Sequence, residues 1–107
     1  MKKKKPWHGR GRNFNDPKYK KWRQAVYRRD GYRCQFPECG ISERINAHHI
    51  KTWADWPALR FVLQNGITLC GRHHSLVKGK ENIYQEIFLR VLAQNILKRI
   101  KGFHNEG

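Results

Sequence analysis

Acidic residues are scarce in this chain: eight Asp and Glu stand against 23 Lys and Arg, a net charge of +15 over 107 residues with histidine neutral. A small domain this basic is drawn to phosphate backbones through counterion release. The bland alternative is a solvated face that aids solubility. Long apolar runs are also missing, so no segment is fit to span a bilayer, although an anionic membrane surface would attract the charge. Met1-Lys-Lys-Lys-Lys-Pro6 lacks the apolar stretch of a signal peptide. Cysteine is limited to three residues, which cannot all pair within one chain, and this weakens a disulfide reading. The expectation is therefore a cytoplasmic, intracellular protein with no membrane partner, acting on nucleic acid.

What is present starts with size. A chain of 107 residues makes one domain. Residues 1–15 carry little apolar periodicity and read as a flexible basic arm, leaving residues 16–107 as the single packed domain. A core that small tends to need a staple such as a metal. Asp16-Pro17 reads as a helix start, with Asp as N-cap and Pro in the first turn. Tyr19, Trp22, Val26 and Arg29 follow at helical spacing and Gly31 supplies a stop, while Lys18, Lys20, Lys21, Arg23 and Arg28 face mostly outward. Residues 44–50 have the length and β-branched content of a strand. Residues 67–69, after the Asn65-Gly66 turn signal, form a second, buried one. A helix is predicted over 70–78, ended by Gly79. A final amphipathic helix carries Ile83, Tyr84, Ile87, Phe88, Val91, Leu92 and Ile96 and runs to about Lys101. Its apolar stripe is expected to complete the core against the first helix, or else to form a dimer seam.

Cys34-x4-Cys39, then Cys70-x2-His73 after a long gap, is four-ligand spacing of the zinc-knuckle type. The competing reading is three buried free thiols and an incidental histidine. With four protein ligands such a site is closed, hence structural. Four of the six histidines form two adjacent pairs, His48-His49 and His73-His74. Neighbours on a helix point about 100° apart. If His73 faces the zinc, His74 is free for a second metal, so the pairs suggest metal-assisted chemistry on a polyanion. Successive residues on a regular strand also diverge. His48 and His49 reach one phosphate only if the strand ends or distorts there, or an ion sits at its edge. Otherwise they are one core and one surface histidine.

The ordered set Cys34-x4-Cys39-Gly40, Ala47-His48-His49-Ile50, Asn65-Gly-Ile-Thr-Leu-Cys70 and His73-His74 resembles the HNH endonucleases of the ββα-metal class. Trp22-Arg-Gln-Ala-Val-Tyr-Arg-Arg-Asp-Gly-Tyr-Arg-Cys34 is similar to the basic lead-in of phage and bacterial members, so the resemblance covers residues 22–78, over half the chain. It implies an α+β fold: a ββα-metal core of a short antiparallel hairpin plus helix, stapled by structural zinc and flanked by an N-terminal and a C-terminal helix. It implies His49 as general base, and Asn65 as the residue that holds the hairpin and helps orient that base. It implies His48 and His74 as ligands of a catalytic divalent ion, Mg2+ first and otherwise Mn2+, Ni2+ or Zn2+. Two departures are visible. His73 stands where many members have a zinc-binding Cys, and Lys78 stands where the colicin-type subgroup has a further histidine.

The implied activity is hydrolysis of DNA phosphodiester bonds, by nicking or double-strand cleavage, leaving a 3′-hydroxyl and a 5′-phosphate. Lys51, Arg72 and Lys80 are the nearby candidates for phosphate contact. Small proteins of this type are often phage-encoded beside packaging genes, which places such a protein in a host cytoplasm with DNA-processing partners and, through the last helix, a homodimer. The alternative from another class is a zinc-stapled nucleic-acid-binding module without chemistry. Zinc deamination does not fit, since no His-x-Glu precedes a suitable Cys-x-x-Cys.

Overall fold

The chain enters its first helix through a capped turn. The structure, a computed structural model, describes residues 12–106, with side chains as far as Lys101; most of the basic arm thus lies outside the described residues. Residues 12–15 were expected to belong to that arm, yet they fold back. Asp16 N–H donates to Asn13 O at 2.9 Å, and Phe14 sets its edge against Tyr19 at 5.2 Å between ring centroids. Helix α1 (Pro17–Arg29) follows, with the Asp16 carboxylate accepting from Lys18 N–H at 2.9 Å. It stops at Asp30 and Gly31, whose φ of +66° is a left-handed conformation that glycine adopts without strain.

Strands β1 (Asn46–His49) and β2 (Gly66–Leu69) form an antiparallel pair in which Asn46 faces Leu69 and His49 faces Gly66. The first strand is shorter than the predicted 44–50. The link between the strands is a long loop, with 3-10 turns at Pro57–Leu59 and Leu63–Asn65, and no tight Asn65-Gly66 turn. Gly66 is extended (φ −120°) and is required for a different reason. A Cβ there would lie 2.5 Å from Val26 Cγ2 and 2.6 Å from Trp22 Cζ2, so only a glycine lets α1 approach this closely. Helix α2 (Gly71–Val77) starts at Cys70, and helix α3 (Glu81–Glu106) begins after Gly79.

Strand alternation divides the interior into two cores. Ala47, His49, Gly66 and Thr68 turn toward α1, where Tyr19, Trp22 and Val26 are buried with Ala47. His48, Ile67 and Leu69 turn the other way. On that side Cys34, Ile50, Cys70, Val77 and Phe88 close a second core, and Tyr84, Val91 and Leu92 of α3 pack on it. Helix α3 therefore completes the core on the face opposite α1, not against α1 as its stripe suggested. The face toward α1 was already filled. Burial of Phe88, wholly shielded from solvent, contributes about 1.5–3 kcal/mol. No described helix is long and apolar enough to cross a membrane.

Candidate metal centre and histidine cavity

The loop after α1 is tied into a knuckle. Cys34 N–H donates to Ile41 O at 2.8 Å, Cys39 N–H to Phe36 O at 3.0 Å, and Gly40 N–H to Cys34 O at 3.1 Å. This brings Cys34 and Cys39 to the start of α2, where Cys70 and His73 lie one turn apart. The three sulfurs and one imidazole nitrogen lie within 4.8 Å of one another, and among the described residues no other three candidate ligands converge. His73 Nδ1 lies 3.5 Å from Cys34 Sγ and 3.4 Å from Cys70 Sγ. Metal–sulfur bonds of about 2.3 Å and a metal–nitrogen bond of about 2.1 Å at tetrahedral angles put such atoms roughly 3.6–3.8 Å apart. The donor set therefore fits a tetrahedral ion such as zinc with little rearrangement. Phe36 lies flat on the His73 ring, at 4.0 Å and 2° between planes, and fixes its orientation. Burial pushes the Cys34 thiol up to about 11. At Cys70 burial also acts upward, but the His73 amide and the Cys34 and Cys39 thiols outweigh it and hold the group low.

His74, the next residue on α2, turns away from this cluster toward β1. Its ring meets His48 edge-on, 5.8 Å between centroids, and Phe88 closes the other side of His48 at 5.7 Å. Two imidazoles sharing one ion, each about 2.1 Å from it, have centroids roughly 4.5–6.5 Å apart. His48 Nε2 is buried with no partner. The His74 ring is thus a close neighbour of the buried His48 ring. Burial, with the charges of His74, His49 and Arg12, drives the His48 pKa down to about 3. Burial, Lys78 and Arg12 lower that of His74.

His49 occupies the opposite face of the strand. It stacks on Trp22 (4.0 Å, 12°) and takes the edge of Trp53 at 5.4 Å. Its Nε2 lies 2.9 Å from Arg60 O and, being paired with a carbonyl, must carry the proton; Nδ1 then keeps its lone pair and, among the described residues, has no partner. Burial lowers its pKa to about 4, with Arg12 and Arg60 adding to the shift and the Arg60 carbonyl opposing it. Arg60 is itself fixed, donating from Nε to Trp53 O at 2.7 Å.

Asn65 does not face the histidines. Its Oδ1 accepts from Lys51 N–H at 2.8 Å, and its Nδ2 donates to Lys51 O at 3.0 Å and Leu59 O at 3.2 Å. It ties Lys51 to the turn at Leu59, next to Arg60, whose carbonyl meets His49.

His48, His49 and His74 all border one cavity of about 530 Å³, with Arg12, Arg23, Lys78 and Glu81 also in its wall. None of the cations singled out from sequence lines it. Lys51 Nζ sits over the Trp56 ring at 4.7 Å, while Arg72 and Lys80 are exposed elsewhere. Proximity along the chain is a poor guide: Thr52 and Glu81 line the cavity while their neighbours Lys51 and Lys80 do not. Trp22 and Trp53 were legible only as apolar bulk, and nothing in the sequence linked Arg12 to the histidines. Set against family models, curated proteins and solved structures, the chain matches none of them.

Proposed function

We propose that the protein is a metal-dependent endonuclease of the HNH type that hydrolyses DNA phosphodiester bonds with His49 as general base. The observation that carries this reading is the fixed tautomer of His49. Its Nε2–H is held by the Arg60 carbonyl, which leaves an unpartnered Nδ1 lone pair beside a cavity shared with His48, His74 and three cations. A neutral, oriented imidazole is what proton abstraction from water requires. In the reaction, water attacks phosphorus, His49 Nδ1 takes its proton, and the P–O3′ bond breaks; the leaving 3′-oxygen takes a proton from solvent water, giving a 3′-hydroxyl and a 5′-phosphate. Stacking on Trp22 and the edge contact with Trp53 keep the ring from rotating out of line, and burial keeps it unprotonated near neutral pH.

His48 and His74 would hold the divalent cation, Mg2+ or a metal more tolerant of imidazole such as Mn2+, Ni2+ or Zn2+. When bound, that ion supplies Lewis-acid neutralisation of charge on the phosphoryl and leaving oxygens. The cations of the cavity wall add to this by attracting the phosphate. The Cys34, Cys39, Cys70 and His73 cluster is closed by four protein ligands and would serve as a structural zinc staple.

The test is cleavage of supercoiled plasmid by wild type and His49→Ala, each with magnesium, manganese or no added divalent ion. Open-circle or linear product from wild type alone, dependent on added metal, is expected. Full cleavage by His49→Ala would remove the base assignment. No product from wild type, with DNA retained in a gel shift, would leave a binding module in place of the nuclease.

A further inference from the structure

Two of the three cations around the histidine cavity are arginines that lie over aromatic rings. The Arg12 guanidinium carbon lies 5.3 Å from the Trp53 ring centroid and 5.9 Å from that of Phe14, and the Arg23 carbon lies 5.5 Å from the Tyr19 centroid. Those rings form one shelf: Phe14 meets Tyr19 at 5.2 Å, Tyr19 meets Trp53 at 6.5 Å, and Trp53 meets His49 at 5.4 Å. Among the described residues, neither guanidinium donates a hydrogen bond, and the one ion pair is Arg29–Asp30. Glu81 is the single carboxylate in the cavity wall, and its Oε2 already accepts from Gly79 N–H at 3.3 Å. Two planar forks therefore sit at one cavity, positioned by aromatic contact, with their N–H groups available.

We infer that Arg12 and Arg23 are a paired phosphate clamp that holds the DNA backbone over the histidine cavity. The inference rests on reading that cavity as a phosphodiester site, and it concerns binding, not cleavage. The chemistry favours an anion with several oxygens in one plane or tripod. Guanidinium donates two parallel hydrogen bonds to such a group, and stacking lowers the loss of side-chain freedom on binding. A nucleic-acid backbone offers successive phosphates to the two arginines that line this cavity. The turn after Arg12 and the Phe14–Tyr19 contact deliver Arg12 to a cavity whose other walls come from α1, β1, the loop at Trp53, the end of α2 and the start of α3.

The experiment measures binding of a short fluorescent DNA duplex by anisotropy across a salt series, with metal-replete protein and no added divalent ion, beside the imidazole NMR signals. Arg12→Ala/Arg23→Ala should reduce the slope of log affinity against log salt by about 2 and weaken binding on the order of tenfold or more. The His48, His49 and His74 signals should then stop responding to the duplex at concentrations that shift them in wild type. Arg12→Lys/Arg23→Lys should keep the slope and recover part of the affinity, since the charge remains and the stacked fork does not. The control is Lys18→Ala/Arg28→Ala, which removes the same charge from exposed positions of α1 outside the cavity wall. A wild-type slope and histidine response in the double alanine variant overturns the clamp. So does an equal loss of the histidine response in the control. Failure of wild type to cut plasmid would sink the nuclease reading alone, because every outcome here is read without cleavage.

Discussion

Gly66→Ala tests whether the contact of α1 with the hairpin also governs the candidate base. The new Cβ would lie 2.5 Å from Val26 Cγ2 and 2.6 Å from Trp22 Cζ2. Non-bonded carbons settle at about 3.5–4.0 Å, so roughly 1 Å of movement is needed. Neither neighbour is free to give way. Val26 is fully buried, and Trp22 is pinned by its indole N–H to Val62 O at 2.8 Å. Overpacking a rigid site costs about 1–3 kcal/mol, and with two obstructed partners the upper end is expected, near 3 kcal/mol. For a domain of this size that lowers Tm by on the order of 10–20 °C. Because Trp22 stacks on His49, the same change should shift the His49 ring signals and reduce any cleavage by the folded fraction. Urea unfolding of the metal-replete protein gives the stability. Adding Val26→Ala removes one of the two clashes, so the double variant should lose less than the sum of the single losses. A loss below about 0.5 kcal/mol, or strict additivity with Val26→Ala, would show that close approach of α1 does not require glycine at position 66.

Acid should destabilise the fold through its two buried strand histidines. The unfolded chain takes up protons below about pH 6.5, which folded His48 and His49 refuse until about 3 and about 4, so stability complete above pH 6.5 falls as pH drops. Each contributes up to about 1.4 kcal/mol per pH unit, on the order of 3–4 kcal/mol for the pair at pH 5. A urea midpoint that declines no faster in wild type than in His48→Gln/His49→Gln between pH 7 and 5 would count against it. If the proposed zinc staple is correct, a strong chelator should unfold or greatly loosen the domain, because Cys34 and Cys70 are buried in the second core; unchanged circular dichroism and Tm after proven removal of the ion would contradict this. Asn65→Ala leaves the Lys51 amide and two carbonyls without their partner, with an expected loss of about 2–4 kcal/mol by urea unfolding. Asn65→Asp would set a buried carboxylate oxygen against the Lys51 and Leu59 carbonyls and should lose at least as much; a loss below about 1 kcal/mol in Asn65→Ala would sink the tying role of Asn65.

Some of this was legible because it depends on near neighbours. Asp16-Pro17 caps a helix through one local hydrogen bond, and Cys70 and His73 share a helical turn whatever the rest of the chain does. The four-ligand spacing pointed to a cluster, and the two halves do converge. The period of two in a strand likewise said that His48 and His49 must part, as they do across β1. Other signals were real but led to the wrong neighbour. The stripe of α3 showed that one face is buried without saying against what, and Gly66 looked like a turn glycine while its function is close approach.

Residue types and spacing thus determined by themselves the charge, the helix starts, the alternation of the hairpin and the metal-ligand set, since each follows from composition or from contacts a few bonds apart. Tertiary structure alone decided which face α3 covers, that Arg60 fixes the His49 tautomer, and that Arg12, Arg23 and Lys78 wall the histidine cavity in place of Lys51, Arg72 and Lys80. Those outcomes depend on packing between segments far apart in the chain. A side chain's pKa and partners are set by whatever burial brings beside it, and no local pattern encodes that.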